Sequence, residues 1–251
     1  MPQTRGNPAD NVYGVLTMQI PLFALLGAVV GILLNPLVTR LAVPATDEEP
    51  SPPDEAPVAI ASGEAGHARV AAFTGEGPWW RLPLLVASTV VAFALAAARY
   101  EEIGQAAVIS AYAVVFIVCA VTDLISFRVP NAVTYPAAAG AVLAAALMPD
   151  GELVDALIGG VVGAGLMLVV WLVSRGGLGL GDVKLAGFAG LAVGGPLILP
   201  ALLITTFAGG VAASWLAIRV RRRNHPMPYA PYISGGALVM LLWQGSAFAS
   251  L

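Results

Sequence analysis

Asp123 and Asp182 are the acidic residues most closely tied to the apolar bulk of this 251-residue chain. Asp182 closes the run Gly179-Leu180-Gly181-Asp182, and Asp123 ends an apolar segment, with Pro130-Asn131 following seven and eight residues on. A carboxylate beside hydrocarbon is costly, so an ionisable group there is a functional-site hypothesis by default. Two of them suggest a pair. Carboxyls that share a site do not easily both ionise and hold one proton between them. The ionised member then draws a proton from water while the neutral one protonates or hydrogen-bonds a scissile carbonyl. Such a pair hydrolyses a peptide bond in or beside a membrane with neither a metal nor a covalent intermediate.

Each aspartate also has a plainer reading. Asp123 sits where a helix macrodipole presents its negative end, a poor place for a merely structural carboxylate. A solvated loop aspartate paired with Arg128 would nevertheless leave the same sequence. Pro130 lacks a backbone donor and is expected to stop the helix. Asp182 precedes an apolar helix and would serve as its N-cap. Gly176, Gly177, Gly179 and Gly181 argue against that alone, since a cap does not need so many permissive positions. Lys184 reads either as an interfacial lysine that snorkels or as a cation acting on Asp182.

The elements that must position these groups are membrane helices. Hydrophobic residues make up 58% of the chain and charged residues 11%, and the mean hydropathy is +0.84. Soluble domains carry about 25% charged residues, so an ordinary water-soluble fold is not expected. Apolar runs cover residues 12–38, 82–98, 103–122, 132–148, 156–173, 183–193, 197–218 and 232–249. They are continuous, which disfavours a β-barrel. The expected fold is all-α, a polytopic bundle of about eight transmembrane helices. The run 183–193 reaches only ~18 Å at helical rise, and is read as a short or tilted crossing continuing toward Leu199. Gly27/Gly31, Gly159/Gly163 and Gly190/Gly194 have the spacing that lets helices approach closely.

Three regions follow: 1–40 with the first helix, 41–81 as a flexible proline-rich acidic loop, and 82–251 as the core. The loop interleaves Pro44, Pro50, Pro52, Pro53 and Pro57 with Asp47, Glu48, Glu49, Asp54 and Glu55, too polar to order itself. Trp79-Trp80-Arg81 marks re-entry at the headgroups. Arg40, Arg69, Arg81, Arg128, Arg175, Lys184, Arg219, Arg221, Arg222 and Arg223 fall on one side of the bundle, against Arg5 and Arg99 on the other. The positive-inside rule assigns the first side to the cytoplasm, with both termini outside. Asp123 and Asp182 then share the cytoplasmic face.

Other chemistries lack their residues. Cys119 is the single cysteine, which excludes internal disulfides and multi-cysteine zinc sites. His67 and His225 both fall in polar loops, no H-E-x-x-H occurs, and no histidine stands in a span to serve a serine. Gly179-Leu-Gly-Asp182 lacks the preceding strand and the longer glycine pattern of nucleotide sites. A net charge of -3 is too small to argue for any partner, and no nucleic-acid partner is expected.

Four stretches resemble the bacterial type IV prepilin peptidases, membrane aspartyl proteases of the GxGD class. Asp123-Leu-Ile-Ser-Phe-Arg-Val-Pro130-Asn131 resembles the family's first catalytic motif, and Gly179-Leu-Gly-Asp182-Val-Lys184-Leu its second. Pro228-Tyr-Ala-Pro231-Tyr-Ile-Ser-Gly235 is similar to the segment opening the family's last helix. Gly31-Ile-Leu-Leu-Asn35-Pro-Leu-Val-Thr-Arg40 resembles the end of its first helix. The resemblance implies an inner-membrane endopeptidase that removes the leader from prepilin or pseudopilin precursors at the cytoplasmic face. Asp123 and Asp182 would be the dyad, with Gly179, Gly181, Lys184, Pro130 and Asn131 in support. The peptidase reaction would need no cofactor. S-adenosylmethionine enters only if the N-methyltransferase activity of better-known members is retained. Their cysteine-rich zinc insert is replaced here by the acidic loop, so no metal is carried over. The lipid bilayer is the other expected partner, and nothing in the sequence sets the oligomeric state. A GxGD protease with other membrane substrates and a non-enzymatic polytopic protein are the competing readings.

Overall fold

In a bilayer only structures that satisfy their own backbone polar groups can cross, which favours helices wherever the chain is continuously apolar. The computed structural model describes residues 8–42, 79–148, 151–174, 178–220, 227–243, 245–246 and 249–250. Each of the eight apolar runs forms one helix. They are α1 (Pro8–Ala42), α2 (Arg81–Arg99), α3 (Ile103–Ser126), α4 (Asn131–Leu147), α5 (Leu153–Ser174), α6 (Leu180–Val193), α7 (Gly195–Val220) and α8 (Ala230–Trp243). Among the described residues, strand occurs only as an antiparallel pair of two-residue pieces, Gly245–Ser246 with Ala249–Ser250. The chain is therefore an all-helical, polytopic membrane fold. Most of the acidic loop, Gly176-Gly177 and the arginines at 221–223 lie outside the described residues.

Five helices are long and apolar enough to cross: Met18–Ala42 within α1, α2, α3, α5 and Gly195–Trp215 within α7. Helices α4, α6 and α8 have 17, 14 and 14 residues. Fourteen residues rise about 21 Å, less than a ~30 Å hydrocarbon core. The expected continuation of the crossing at 183–193 toward Leu199 is not seen. Gly194 adopts φ 88, a conformation open chiefly to glycine, and a new helix begins at Gly195. The last helix likewise ends at Trp243, short of the run that reached 249.

The central elements are α3 and α6. Helix α3 is the most enclosed of the long helices, with 61% of its most apolar 18-residue stretch buried. Helix α6 buries Val183, Leu185, Ala186, Phe188, Ala189, Ala192 and Val193, residues distributed right around its axis. A helix apolar on all sides belongs inside a bundle, which accounts for a short α6 that need not reach both headgroup layers. Phe188 joins the two helices, its ring 4.9 Å from that of Phe116 and edge-on to Tyr112 at 5.6 Å.

Small residues set the closest approaches. A Cβ on Gly190 would overlap the backbone of Gly159, and one on Gly163 would overlap the Ala186 carbonyl, so α5 and α6 touch through their main chains. Gly27 and Gly31 lie against the backbone of α2 at Thr89 and Val86. These pairs do the packing that their spacing suggests, except that Gly194 serves mainly as the break. Buried hydroxyls of Thr89, Ser110, Thr122 and Thr205 donate to carbonyls one turn back, so none is left unpaired in an apolar interior.

Two ends of the bundle are defined by side-chain contacts. At one, Arg99 of α2 donates to the Leu242 and Trp243 carbonyls that close α8. At the other, the last turn of α3 meets the beginnings of α4, α6 and α8. Arg81, expected among the headgroups with Trp79 and Trp80, is instead buried. Its Nε donates to Asn35 Oδ1 at 2.8 Å, tying α2 to α1. An Asn oxygen offers that guanidinium a hydrogen-bond partner away from water.

Candidate active site

Asp123 occupies the last turn of α3, and its carbonyl accepts the N–H of Phe127 at 2.9 Å. The helix stops at Phe127, three residues before Pro130. Phe127 takes the left-handed conformation (φ 53, ψ 37), which ends a helix because the next turn cannot continue from it. Pro130 plays a different part from the stop signal expected of it. It precedes Asn131 as the N-cap of α4, and its carbonyl accepts the N–H groups of Val133 and Thr134.

The carboxyl of Asp123 is buried, and its Oδ2 accepts the N–H of Ala230 at 2.9 Å. That donor is the first residue of α8, just after Pro228-Tyr229. The positive end of one helix therefore compensates the negative end of another. This arrangement sets aside the solvated aspartate paired with Arg128.

Asp182 is the third residue of α6 and not its N-cap, a position taken by Gly179. Its Oδ2 accepts the Gly179 N–H at 3.1 Å, the side-chain half of a capping box. The capping reading therefore holds for one oxygen. The other, Oδ1, is buried and makes no hydrogen bond. A buried acceptor without a partner is costly and needs an explanation; helix capping does not supply one. Gly181 lets this turn approach its neighbour, since a Cβ there would stand 2.9 Å from Val129 Cβ.

The two carboxyls face the same space. Asp123 and Asp182 line one pocket of about 240 Å³ together with Phe127, Arg128, Val129, Asn131, Gly179, Gly181 and Lys184. They are close enough for Asp182 to feel the charge of Asp123. Of the residues singled out from sequence, only Pro130 stands outside the lining. Lys184 turns toward α4: its Nζ donates to Asn131 Oδ1 at 3.0 Å and lies 5.1 Å from the centre of the Tyr135 ring.

Sequence reasoning missed several groups. The Phe127–Val129 turn forms a wall of the pocket, and nothing in those residue types announces it. Ala230 supplies a backbone donor from 107 residues away. Tyr229 lies near both acids, and its ring rests where Gly209 of α7 leaves room. Burial raises the Tyr229 phenol above its ordinary value, opposed by a hydrogen bond with Thr206 and reinforced by the Asp182 charge. The signal was present in Pro228–Gly235, which carried a resemblance but no assigned chemistry. Among the described residues no cluster of His, Cys, Asp and Glu is arranged to hold a metal.

Fold and site together define a polytopic helical membrane protein with two buried carboxyls in one pocket. Residues 110–214, which include both acids, match the Type IV leader peptidase family. The resemblance to the prepilin peptidases is thus borne out over that stretch. Three similar proteins share the description "Prepilin leader peptidase/N-methyltransferase". One from Xanthomonas campestris pv. campestris is 36% identical over 94 residues, covering 35% of this chain and 33% of its own. One from Bacillus subtilis is 29% identical over 140 residues, covering 53% and 56%. One from Aeromonas salmonicida is 29% identical over 133 residues, covering 49% and 45%. The matches thus span from a third to little more than half of these relatives' lengths. No solved structure matches the chain.

Proposed function

We propose that this chain is an intramembrane aspartyl endopeptidase that removes the leader peptide from type IV prepilin-like precursors. The observation that carries the reading is the shared pocket of Asp123 and Asp182. Carboxyls on separate helices gain nothing structural from facing one another, and a shared proton between them is the working state of an aspartyl protease.

The two acids differ in their surroundings. Asp123 Oδ2 is held by the Ala230 N–H, which favours a charged acceptor there. Asp182 keeps Oδ1 free of protein partners and so has an oxygen able to carry the shared proton. In the proposed reaction Asp123 takes a proton from the attacking water while Asp182 donates to the scissile carbonyl oxygen. The roles reverse as the tetrahedral intermediate collapses and the amine leaves. Hydrolysis by this pair requires no cofactor. The excess of basic residues at the pocket end argues for the cytoplasmic face, where a precursor's leader would project while its apolar helix lies against the bundle.

The test is co-expression with a candidate prepilin or pseudopilin precursor, with leader loss read on a gel. Asp123→Asn and Asp182→Asn are each expected to abolish leader removal while the protein still inserts in the membrane. Processing that persisted in either variant would refute the dyad.

A further inference from the structure

The second half of each motif needs a partner as much as the first. Asp123 and Asp182 meet in the pocket, and so do the residues that follow them, Asn131 and Lys184. Lys184 stands two positions beyond Asp182. Two helical steps turn a side chain through about 200°, so residues so spaced do not face each other. Lys184 is thereby directed away from Asp182 and across to the first turn of α4.

There it finds Asn131 Oδ1 at 3.0 Å and the Tyr135 ring at 5.1 Å. Asn131 and Tyr135 are four residues apart on one helix and share a face, so one ammonium group engages both. Helix α4 packs through small, partly buried residues, among them Val133, Ala137, Ala138 and Ala144. Of its 17 residues only Thr134, Ala141 and Ala145 are buried, and only Thr134 lies at the pocket end. Immediately before it runs the Phe127–Val129 wall, with Phe127 in a left-handed conformation that a side chain adopts at a cost. A turn of that kind persists when both of its ends are fixed. Asp123 and α3 fix one end.

We infer that Lys184 and Asn131 form a latch that fixes the other end, joining α6 to α4 and holding the Phe127–Val129 wall over the carboxyl pair. Lys184 is a positioning residue, acting through the wall, and is not the cation that sets the ionisation of Asp182. The Pro-Asn pair of the first motif and the lysine of the second are thus two halves of one contact. This inference rests on the proposed peptidase reading for its kinetic consequences and on geometry alone for its structural ones.

The test is a double-mutant cycle of Lys184→Met and Asn131→Ala in the full-length protein, solubilised in detergent. Each single variant is expected to lower kcat/KM for precursor cleavage about ten-fold, mainly through KM. The double variant should be no worse than the poorer single one, because both remove the same contact. Lys184→Arg should restore part of the loss, and the limbs of the pH–rate profile should stay where they are in the parent. Effects that multiply in the double variant, or a pH–rate limb displaced by Lys184→Met, would overturn the latch. The same cycle is read in the thermal midpoint, where coupling between the two substitutions is expected whether or not any precursor is cut. A parent protein that fails to cleave therefore counts against the peptidase reading, and an uncoupled midpoint counts against the latch.

Discussion

A single backbone N–H has an outsized place in this site. Ala230 donates to Asp123 Oδ2 from the first position of α8, where proline is well tolerated because that N–H is unused by the helix. Ala230→Pro therefore removes the donor without removing the helix. Hydrogen bonds to charged groups contribute about 1.5–3 kcal/mol, so leader removal is expected to fall by roughly 10- to 100-fold. Ala230→Gly keeps the donor and should stay near parental activity in the same assay. If Ala230→Pro cleaved as well as the parent, Asp123 would not depend on α8 for its position.

The elements are joined where side chains are smallest. Helix α6 carries Asp182 but is short and interior, and its height in the bundle is set by main-chain contact with α5 at Gly159 and Gly190. Gly190→Val should force the two helices apart. Overpacking of this kind costs about 1–3 kcal/mol, readable as a lowered thermal midpoint in detergent together with weaker processing. A Cβ on Gly140 of α4 would meet no atom within 4 Å, so Gly140→Ala should lower neither readout. Equal effects at the two sites would show that helix propensity, and not close approach, governs these glycines.

Among the described residues outside the carboxyl pair, charged side chains sort largely by end, Arg99 excepted. Arg81, Arg128 and Lys184 stand at the pocket end, while Glu101, Glu102 and Asp155 stand near the helix ends opposite. If the pocket faces the cytoplasm, an impermeant maleimide applied to intact cells should label Glu101→Cys and leave Arg128→Cys unlabelled until the membrane is permeabilised. Cys119 is buried and should stay silent in both. The reverse pattern would turn the pocket outward and remove the positive-inside argument. The leader-removal reading would then need a substrate presented from the other side.

Continuous apolarity was enough to determine eight helices, because a chain in hydrocarbon has few other ways to pair its backbone. The two acids were legible for a related reason: carboxyls amid so few charges are conspicuous. Lys184 and Asn131 were legible as motif members but not as partners, since a hydrogen bond between helices leaves no mark on local spacing. Phe127 hid the true end of α3, because a left-handed residue that is not glycine has no sequence signature, and Pro130 drew attention to the wrong place. What only the tertiary structure decided is which groups meet: Ala230 with Asp123, Lys184 with Asn131, and the two carboxyls with each other. Those meetings depend on how α3, α4, α6 and α8 converge at one end, and that convergence is set by packing among residues far apart in the chain.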